Sequence, residues 1–495
     1  MPALSKADFF AVMKKEGLAL TFDDVRLETR ASEFAPAEVD LRSRFSRNVP
    51  LKLPIVSAAM DTVTDAKMAI AIACMGGIGV IHAGFTAEEQ RREVRRVKLF
   101  LNGRIDNPVC VYGTDTLQDI LSMCKDRQYE FRTFPVIDKK NSFIGLLTQN
   151  DFDFAADMKK SAKAVMTPAS QVTVANPKTS INQAYKMMLK SKKKTLPLLS
   201  SDGTVAGLYI FSDVNRIVGG DSGMYNVDAN GRLRVAAAVP TDEEALDRVR
   251  DMRKYLDVAV IDSAQGDSKF ARQTLTKLKK AFPDLDVVVG NISSASSAKA
   301  LVKLGADGIK VGQGPGSICT TRIETGIGSP QVSAVYECVA AINDPDIPVC
   351  ADGGLRSPGD ISIALAAGAH SVMMGSMLAG TNEAPGELIE LESGARVMLY
   401  RGMGSPSALR DSAASRKRYG VEGAGVPLAE GVESYIPYKG PVRDVLDRYT
   451  KALRKSMSYV GSADIKHHRT DTRFIRITNA GLNESHPHDV NVITN

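Results

Sequence analysis

The chain has 495 residues, 44% hydrophobic and 24% charged, the balance of an ordinary globular protein, neither fibrous nor disordered. Lys plus Arg (63) against Asp plus Glu (57) leaves a net charge of +6, too small over this length to mark a nucleic-acid binder and compatible with a small anionic ligand. The six cysteines are scattered, with no C-x-x-C pair, which argues against a zinc site or a disulfide framework and for a reducing cytoplasm.

The N-terminus carries Lys6, Asp8, Lys14, Lys15 and Glu16 before any apolar run, which is not a secretory pattern. The longest uncharged stretch, Met68 to Phe85, is broken by Gly76, Gly77, Gly79 and His82, so a short helix followed by a buried strand is expected there and not a membrane span. Short apolar runs recur along the chain at Pro54–Ser57, Gly77–Ile81, Leu233–Val239, Val258–Ile261, Val287–Asn291, Gly308–Val311, Val349–Ala351 and Val372–Met374. Amphipathic stretches such as Ala87–Leu101, Asp242–Leu256, Phe270–Phe282, Ser294–Leu304 and Pro358–Ala367 lie between them. Apolar strands alternating with helices are what a helix-covered parallel sheet requires, and eight such units predict an α/β fold, a closed (β/α)₈ TIM barrel; an open doubly wound sheet is the competitor.

The alternation breaks once, and the expected organisation is a barrel in two parts, 1–103 and 221–495, with an inserted domain at 104–220. Within the insert, Pro135-Val-Ile-Asp138 followed by Gly145-Leu-Leu-Thr148-Gln-Asn-Asp151 is matched 62 residues later by Pro197-Leu-Leu-Ser200 and Gly207-Leu-Tyr-Ile210-Phe-Ser-Asp213, an internal duplication that implies two paired modules. The pair resembles a tandem of cystathionine-β-synthase (CBS) domains. That resemblance implies adenine or guanine nucleotides as ligands, with Asp151 and Asp213 on ribose hydroxyls; a repeat kept only for assembly is the alternative. Lys192-Lys193-Lys194 is read as a solvated helix end. A glycine- and proline-rich segment at 413–440 is expected to be a long mobile loop of the kind that serves as a lid.

The strongest motif is Gly312-Gln-Gly314-Pro-Gly316-Ser317-Ile-Cys319-Thr320-Thr321-Arg322 after the sixth strand. Barrel active sites lie on the loops after the strands, where glycines admit close backbone approach. Cys319 is therefore a candidate nucleophile, with a small buried hydrophobe as the alternative. Glycine turns follow the last two strands at Asp352-Gly353-Gly354 and Gly375-Ser376. Their N–H groups, with the Ser317 hydroxyl, suit a phosphate, and Asp352 suits ribose hydroxyls, so a nucleoside monophosphate is the expected ligand.

These residues, with Leu20-Thr-Phe-Asp-Asp-Val25, Pro54-Ile-Val-Ser-Ala-Ala-Met60-Asp61-Thr62, Tyr400-Arg-Gly-Met-Gly-Ser405 and Glu484-Ser-His-Pro-His-Asp489, resemble the inosine 5′-monophosphate (IMP) dehydrogenase family over nearly the whole chain. The resemblance implies oxidation of IMP to xanthosine monophosphate with NAD, in guanine nucleotide biosynthesis, through a thioimidate on Cys319. It implies substrate contacts from Met60, Ser317, Asp352, Gly354, Gly375, Ser376, Tyr400, Gly402, Met403, Gly404 and Glu430, and NAD contacts from Asp262, Asn291 and Gly312. Arg418 and Tyr419 on the lid would activate water after reduced NAD leaves, with Thr321 sharing the proton. Potassium would sit on the carbonyls of Gly314, Gly316 and Cys319, with Glu484, Ser485 and His486 supplied by a neighbouring subunit. Family members are homotetramers that can pair into octamers.

Guanosine monophosphate (GMP) reductase shares the barrel and cysteine loop but deaminates GMP with NADPH. Thr325-Gly-Ile-Gly328, Ser333–Cys338 and Ser458-Tyr-Val-Gly461 lean toward it. Pro406, where the reductase places a catalytic Glu, and the Arg418-Tyr419 pair lean against it, because departing ammonia needs a proton donor. A non-catalytic nucleotide-sensing assembly protein is the remaining alternative; no nucleic-acid motif supports a further activity.

Overall fold

The eight apolar runs form eight parallel strands: β1 (Ile55–Ser57), β2 (Ile78–Ile81), β3 (Ala236–Val239), β4 (Val258–Asp262), β5 (Asp286–Ile292), β6 (Gly308–Val311), β7 (Val349–Asp352) and β8 (Ser371–Met374). They close into a barrel in the order β3-β4-β5-β6-β7-β8-β1-β2. Closure is made where β2 meets β3, with Ala236 paired to Val80 and Ala237 to Ile81. In this computed structural model, residues 4–101, 103–127, 129, 131–219, 223–419 and 428–490 are described. The chain divides into two compact units, 1–99 with 224–495, and 100–223.

Helices α1 (Ala66–Cys74), α2 (Ala87–Lys98), α3 (Glu244–Met252), α4 (Lys269–Ala281), α5 (Ala295–Lys303), α6 (Gln331–Ala341), α7 (Pro358–Ala366) and α8 (Val442–Tyr459) follow the strands in turn. Most begin where the sequence supplies a cap. Asp65 accepts from the N–H groups of Lys67 and Met68, Thr86 and Glu89 form a capping box, and Ser268 and Ser294 cap α4 and α5. Each such cap satisfies N–H groups that the first helical turn leaves without partners. Because helices cover the outside and side chains fill the inside, β2, β3, β4 and β6 are buried at every position, which is why they read as unbroken apolar runs.

Val56, Ile78, Val80, Ala236, Ala238, Val258, Val260 and Val288 belong to one buried cluster with Phe45, Val49 and Leu51. The latter three come from a hairpin, Ser43–Ser46 paired with Val49–Leu51, whose Arg47 N–H donates to the carbonyl of Asp307 just before β6. The hairpin therefore plugs the N-terminal end of the barrel and leaves the C-terminal end for chemistry. Sequence reasoning did not find it. The stretch Met68–Phe85 is α1 followed by β2, and among the described residues no helix is long and apolar enough to cross a membrane.

The segment expected to be irregular from 413 to 440 needs correction. Ala413–Arg418 is helical, capped by Ser412, and Glu433–Pro437 is a strand paired antiparallel with Arg396–Arg401. The glycines concentrate between these elements, at 420–427, which lie outside the described residues; Ala413-Ala-Ser-Arg-Lys-Arg418 itself is good helix-forming sequence.

In the other unit the duplication appears as two hairpins, Phe134–Ile137 with Phe143–Leu147, and Thr195–Leu199 with Val205–Ile210. Their registers repeat the sequence spacing: Pro135 faces Leu146 and Pro197 faces Leu208. The Phe143 N–H donates to the Gly203 carbonyl at 3.0 Å, joining the two modules. The compact unit spans 100–223, and within it the Arg216 guanidinium lies 4.3 Å over the Phe100 ring. Lys192 ends the helix Ile181–Ser191 in the left-handed region.

Candidate active site

The C-terminal ends of the strands surround a cleft of about 960 Å³, counting the solvent at its mouth. The loop after β6 forms one wall. Gly312 takes φ +149°, and a Cβ there would lie 2.0 Å from the Asp352 carbonyl oxygen; only glycine permits this approach of β6 to β7. Arg322 braces the loop from outside, its Nε donating to the Gln313 carbonyl at 3.0 Å. The loop's far end pairs with 430–432: Thr320 N–H donates to the Glu430 carbonyl, and Val432 N–H to that of Ile318, each at 3.0 Å. Cys319 is thereby held at the cleft, half-buried, its Sγ 3.1 Å from Thr321 Oγ1. A hydroxyl at that distance can exchange a proton with the thiol.

Facing the thiol, the turns after β7 and β8 supply an anion cradle. Tyr400, on the strand Arg396–Arg401, reaches Ser317 and Ser376 with its hydroxyl, and a Cβ on Gly375 would lie 2.9 Å from that oxygen. Burial, ahead of every other influence, raises the Tyr400 phenol well above its usual range. It therefore stays a neutral donor, and the Gly354, Gly375 and Ser376 turns complete a surface suited to a phosphate.

The polar strand ends meet at the cleft floor. Asn291 Nδ2 donates to the Gly312 carbonyl at 2.6 Å and to Asp352 Oδ2 at 2.9 Å. Gln331 on α6 donates to the carbonyls of Val311 and Asp352, at 2.9 and 3.1 Å. Lys310, in the middle of β6, contacts Asp352, Asp262 and Asn291. Sequence reasoning missed Lys310 and Gln331; the signal was a lone charge inside an otherwise apolar strand.

The helix Ala413–Arg418 brings the remaining predicted residues in. Arg418 Nη1 pairs with Asp262 Oδ2, and the Arg418 carbonyl accepts from Ala264 N–H at 3.1 Å. Tyr419 packs against Gly404, where a Cβ would lie 2.7 Å from its ring. Burial raises the Tyr419 phenol. Lys417 pairs with Asp242 and Glu244 beyond β3.

Of the predicted residues, Cys319, Thr321, Arg418, Tyr419, Met60, Ser317, Asp352, Gly354, Gly375, Ser376, Tyr400, Gly402, Met403, Glu430, Asn291, Gly312, Gly314 and Gly316 line this one cleft. Gly404 stands behind Tyr419, and Asp262 lines a smaller adjoining cavity with Arg418 and Met403. Glu484, Ser485 and His486, at the end of the helix Asn479–Glu484, do not line the cleft of their own chain. Asp151 and Asp213 lie in the other unit. Asp151 accepts from Thr148 N–H at 2.6 Å as a helix cap, whereas burial, ahead of the opposing Ser212 and Arg216 contacts, raises the Asp213 carboxyl.

Fold and site together define a (β/α)₈-barrel enzyme whose cleft presents a thiol beside an anion cradle. A family model described as IMP dehydrogenase / GMP reductase domain matches residues 19–488, and the chain belongs to that family. It is 43% identical over 484 residues to the inosine-5′-monophosphate dehydrogenase of Aquifex aeolicus, covering 97% of each chain. To that of Bacillus subtilis it is 39% identical over 481 residues, covering 97% of this chain and 96% of the relative. Among solved structures it is similar to a cysteine-to-alanine variant of GMP reductase from Trypanosoma brucei in complex with guanosine 5′-monophosphate. That likeness has a TM-score of 0.84 at 36% identity, covering 96% of this chain and 98% of the other.

Proposed function

We propose that the chain is an NAD-dependent IMP dehydrogenase. The observation that carries the reading is that the Cys319 sulfur and the Ser317, Gly354, Gly375, Ser376 and Tyr400 cradle line one cleft, while curated relatives over 97% of the chain bear that name. A phosphate held by the cradle would present a purine ring to the thiol. Cys319 adds to C2 of the base, Thr321 exchanging its proton. Bound NAD supplies the hydride acceptor, with Asn291, Gly312 and Asp262 as the residues to hold it. Their carboxylate, amide and carbonyl groups fit ribose hydroxyls and a carboxamide. Loss of hydride from C2 leaves a thioimidate, which water cleaves to xanthosine monophosphate and free thiol. Arg418 and Tyr419 position and activate that water, and Glu430 faces the base.

Potassium on the carbonyls of Gly314, Gly316 and Cys319 would brace the loop. The chemistry fits a hard cation that prefers oxygen, although the Gly316 carbonyl also accepts from Cys319 N–H at 3.1 Å. Glu484, Ser485 and His486 of a second copy would complete the site, in a homotetramer. The paired modules at 100–223 would take an adenine or guanine nucleotide. The cytoplasm suits the cysteine pattern.

GMP reduction is the second reading, favoured by the solved relative. Pro406, which opens the helix Pro406–Asp411, leaves no carboxylate there to protonate ammonia. Offering IMP with NAD, and GMP with NADPH, to one preparation while following reduced-cofactor absorbance gives opposite signs for the two reactions. The expected result is production with the first pair, no change with the second, and loss of turnover in Cys319→Ala. A Cys319→Ala protein with undiminished turnover removes the covalent route.

A further inference from the structure

β6 carries an ammonium into the barrel. Lys310 lies between Ile309 and Val311, both fully buried, and its own side chain keeps only 2% exposure. No step of the proposed reaction uses it. Its Nζ meets acceptors from three other strand ends: Asp352 Oδ2 on β7 at 2.6 Å, Asp262 Oδ1 on β4 at 3.0 Å, and Asn291 Oδ1 on β5. Of the three N–H donors of an ammonium, Asp352 and Asn291 accept from two. The Asp262 contact is charge attraction without hydrogen-bond alignment.

Stability is a weak reason for such a residue, because a well-packed apolar side chain often serves a buried site as well as an ion pair does. The reason lies in what the ammonium joins. Asp352 lines the nucleotide side of the cleft. Asp262 turns its other oxygen, Oδ2, to Arg418 on the helix beside the cleft. With Arg418 docked, two cations face two carboxylates. With Arg418 withdrawn, Asp262 keeps one cation and does not repel Asp352.

We propose that Lys310 is a positioning residue that holds Asp352 and Asp262 on one ammonium, so that Asp352 stays aimed at the nucleotide ribose whether or not Arg418 is docked. The proposal rests on the nucleotide-binding reading of the cleft and extends it. Removal of Lys310 leaves the buried Asp262 and half-buried Asp352 carboxylates without the cation between them, and their repulsion turns Asp352 from the ligand.

Calorimetric titration of IMP, without cofactor, into wild type, Lys310→Met, Asp262→Asn and the double variant tests this, with thermal melting of each. Lys310→Met should lose at least tenfold in affinity and Asp262→Asn less than threefold, and the double variant should regain at least threefold over Lys310→Met. A purely structural role predicts losses that accumulate. Lys310→Met binding IMP within twofold of wild type, or a double variant no better than Lys310→Met, overturns the proposal. Should Lys310→Met not fold, the double variant is expected to fold, since it restores charge balance; its failure where Asp262→Asn folds also overturns it. If wild type takes GMP and not IMP, the dehydrogenase reading fails, and the same cycle is run with GMP, which carries the same ribose.

Discussion

Lys417 is the anchor that holds the helix Ala413–Arg418 on the barrel rim without touching the cleft. Its ammonium lies 2.5 Å from Asp242 Oδ2 and 2.6 Å from Glu244 Oε2, and Glu244 is itself fixed by Arg248 Nε at 2.7 Å. Burial lowers the Lys417 pKa, but the two carboxylates outweigh it and the net direction is up. The three partners are each more than a third exposed, so the pairs rank with surface ion pairs at about 0.2–1 kcal/mol each. Two pairs on one cation give about 0.4–2 kcal/mol, or roughly 2- to 30-fold in the ratio of docked to undocked helix. Lys417→Met removes that and leaves the Arg418–Asp262 pair and the Ala264–Arg418 hydrogen bond intact.

On the proposed reaction, hydride transfer needs the helix away and hydrolysis needs Arg418 and Tyr419 docked. Lys417→Met should therefore slow hydrolysis by roughly 2- to 30-fold, while the pre-steady-state burst of reduced NAD keeps its amplitude and rate. Salt supplies an internal control. Raising ionic strength from about 0.05 to about 0.5 M shortens the screening length from about 14 Å to about 4 Å. Wild-type hydrolysis should slow with salt, and Lys417→Met hydrolysis should not respond. A variant that hydrolyses at the wild-type rate, or that keeps the wild-type salt response, refutes the anchoring role.

Arg418→Ala should preserve a burst of reduced NAD equal to the enzyme concentration and reduce later turnover much further than Lys417→Met does; loss of the burst contradicts the assignment to hydrolysis. Gly312→Ala places a methyl 2.0 Å from the Asp352 carbonyl at a φ of +149°, so nucleotide binding measured calorimetrically should be lost while the barrel still melts cooperatively. Burial lowers His82 and His468 from 6.5 to about 4. Below pH 6.5 the unfolded chain therefore takes up protons that the folded chain refuses, and the stability present at pH 7 is lost as pH falls. The loss is about 2 kcal/mol per histidine at pH 5. His468→Gln should melt with a visibly weaker dependence between pH 7 and 5; an unchanged dependence counts against the burial argument.

The barrel was legible because parallel strands buried on both faces leave continuous apolar runs, and all eight runs are strands within a residue or three. The cleft was legible for a related reason. Asp262, Asn291 and Asp352 each fall at the C-terminal end of such a run, where a polar group faces the ligand side, and the glycines beyond them mark close approach. What escaped notice breaks one of these patterns. Lys310 sits in the middle of a run, where a charge carries no positional cue until its three partners are brought together by the barrel's closure. The Ser43–Leu51 hairpin is two short strands with little periodicity, and its plugging role depends on Phe45 meeting residues more than 200 positions away. Helix Ala413–Arg418 was concealed by its neighbours, since the glycines at 420, 423 and 425 dominated the reading of the whole segment.

The anchors divide the site into two mechanical halves. The cradle comes from the loops after β6, β7 and β8 with Tyr400, whereas the helix bearing Arg418 is tied to Asp242, Glu244, Asp262 and Ala264 near the ends of β3 and β4. A two-step reaction that must exclude water and then admit it benefits from this separation, because the helix can leave its rim without disturbing the phosphate grip. The halves are not independent, since β5, which carries Asn291, lies between them in the barrel order, and Lys310 on β6 reaches Asp262 on β4. Substitutions on the β3–β4 rim should therefore change the balance between hydride transfer and hydrolysis at constant nucleotide affinity, substitutions in the cradle should change affinity at constant balance, and only those at Lys310 and Asn291 should move both.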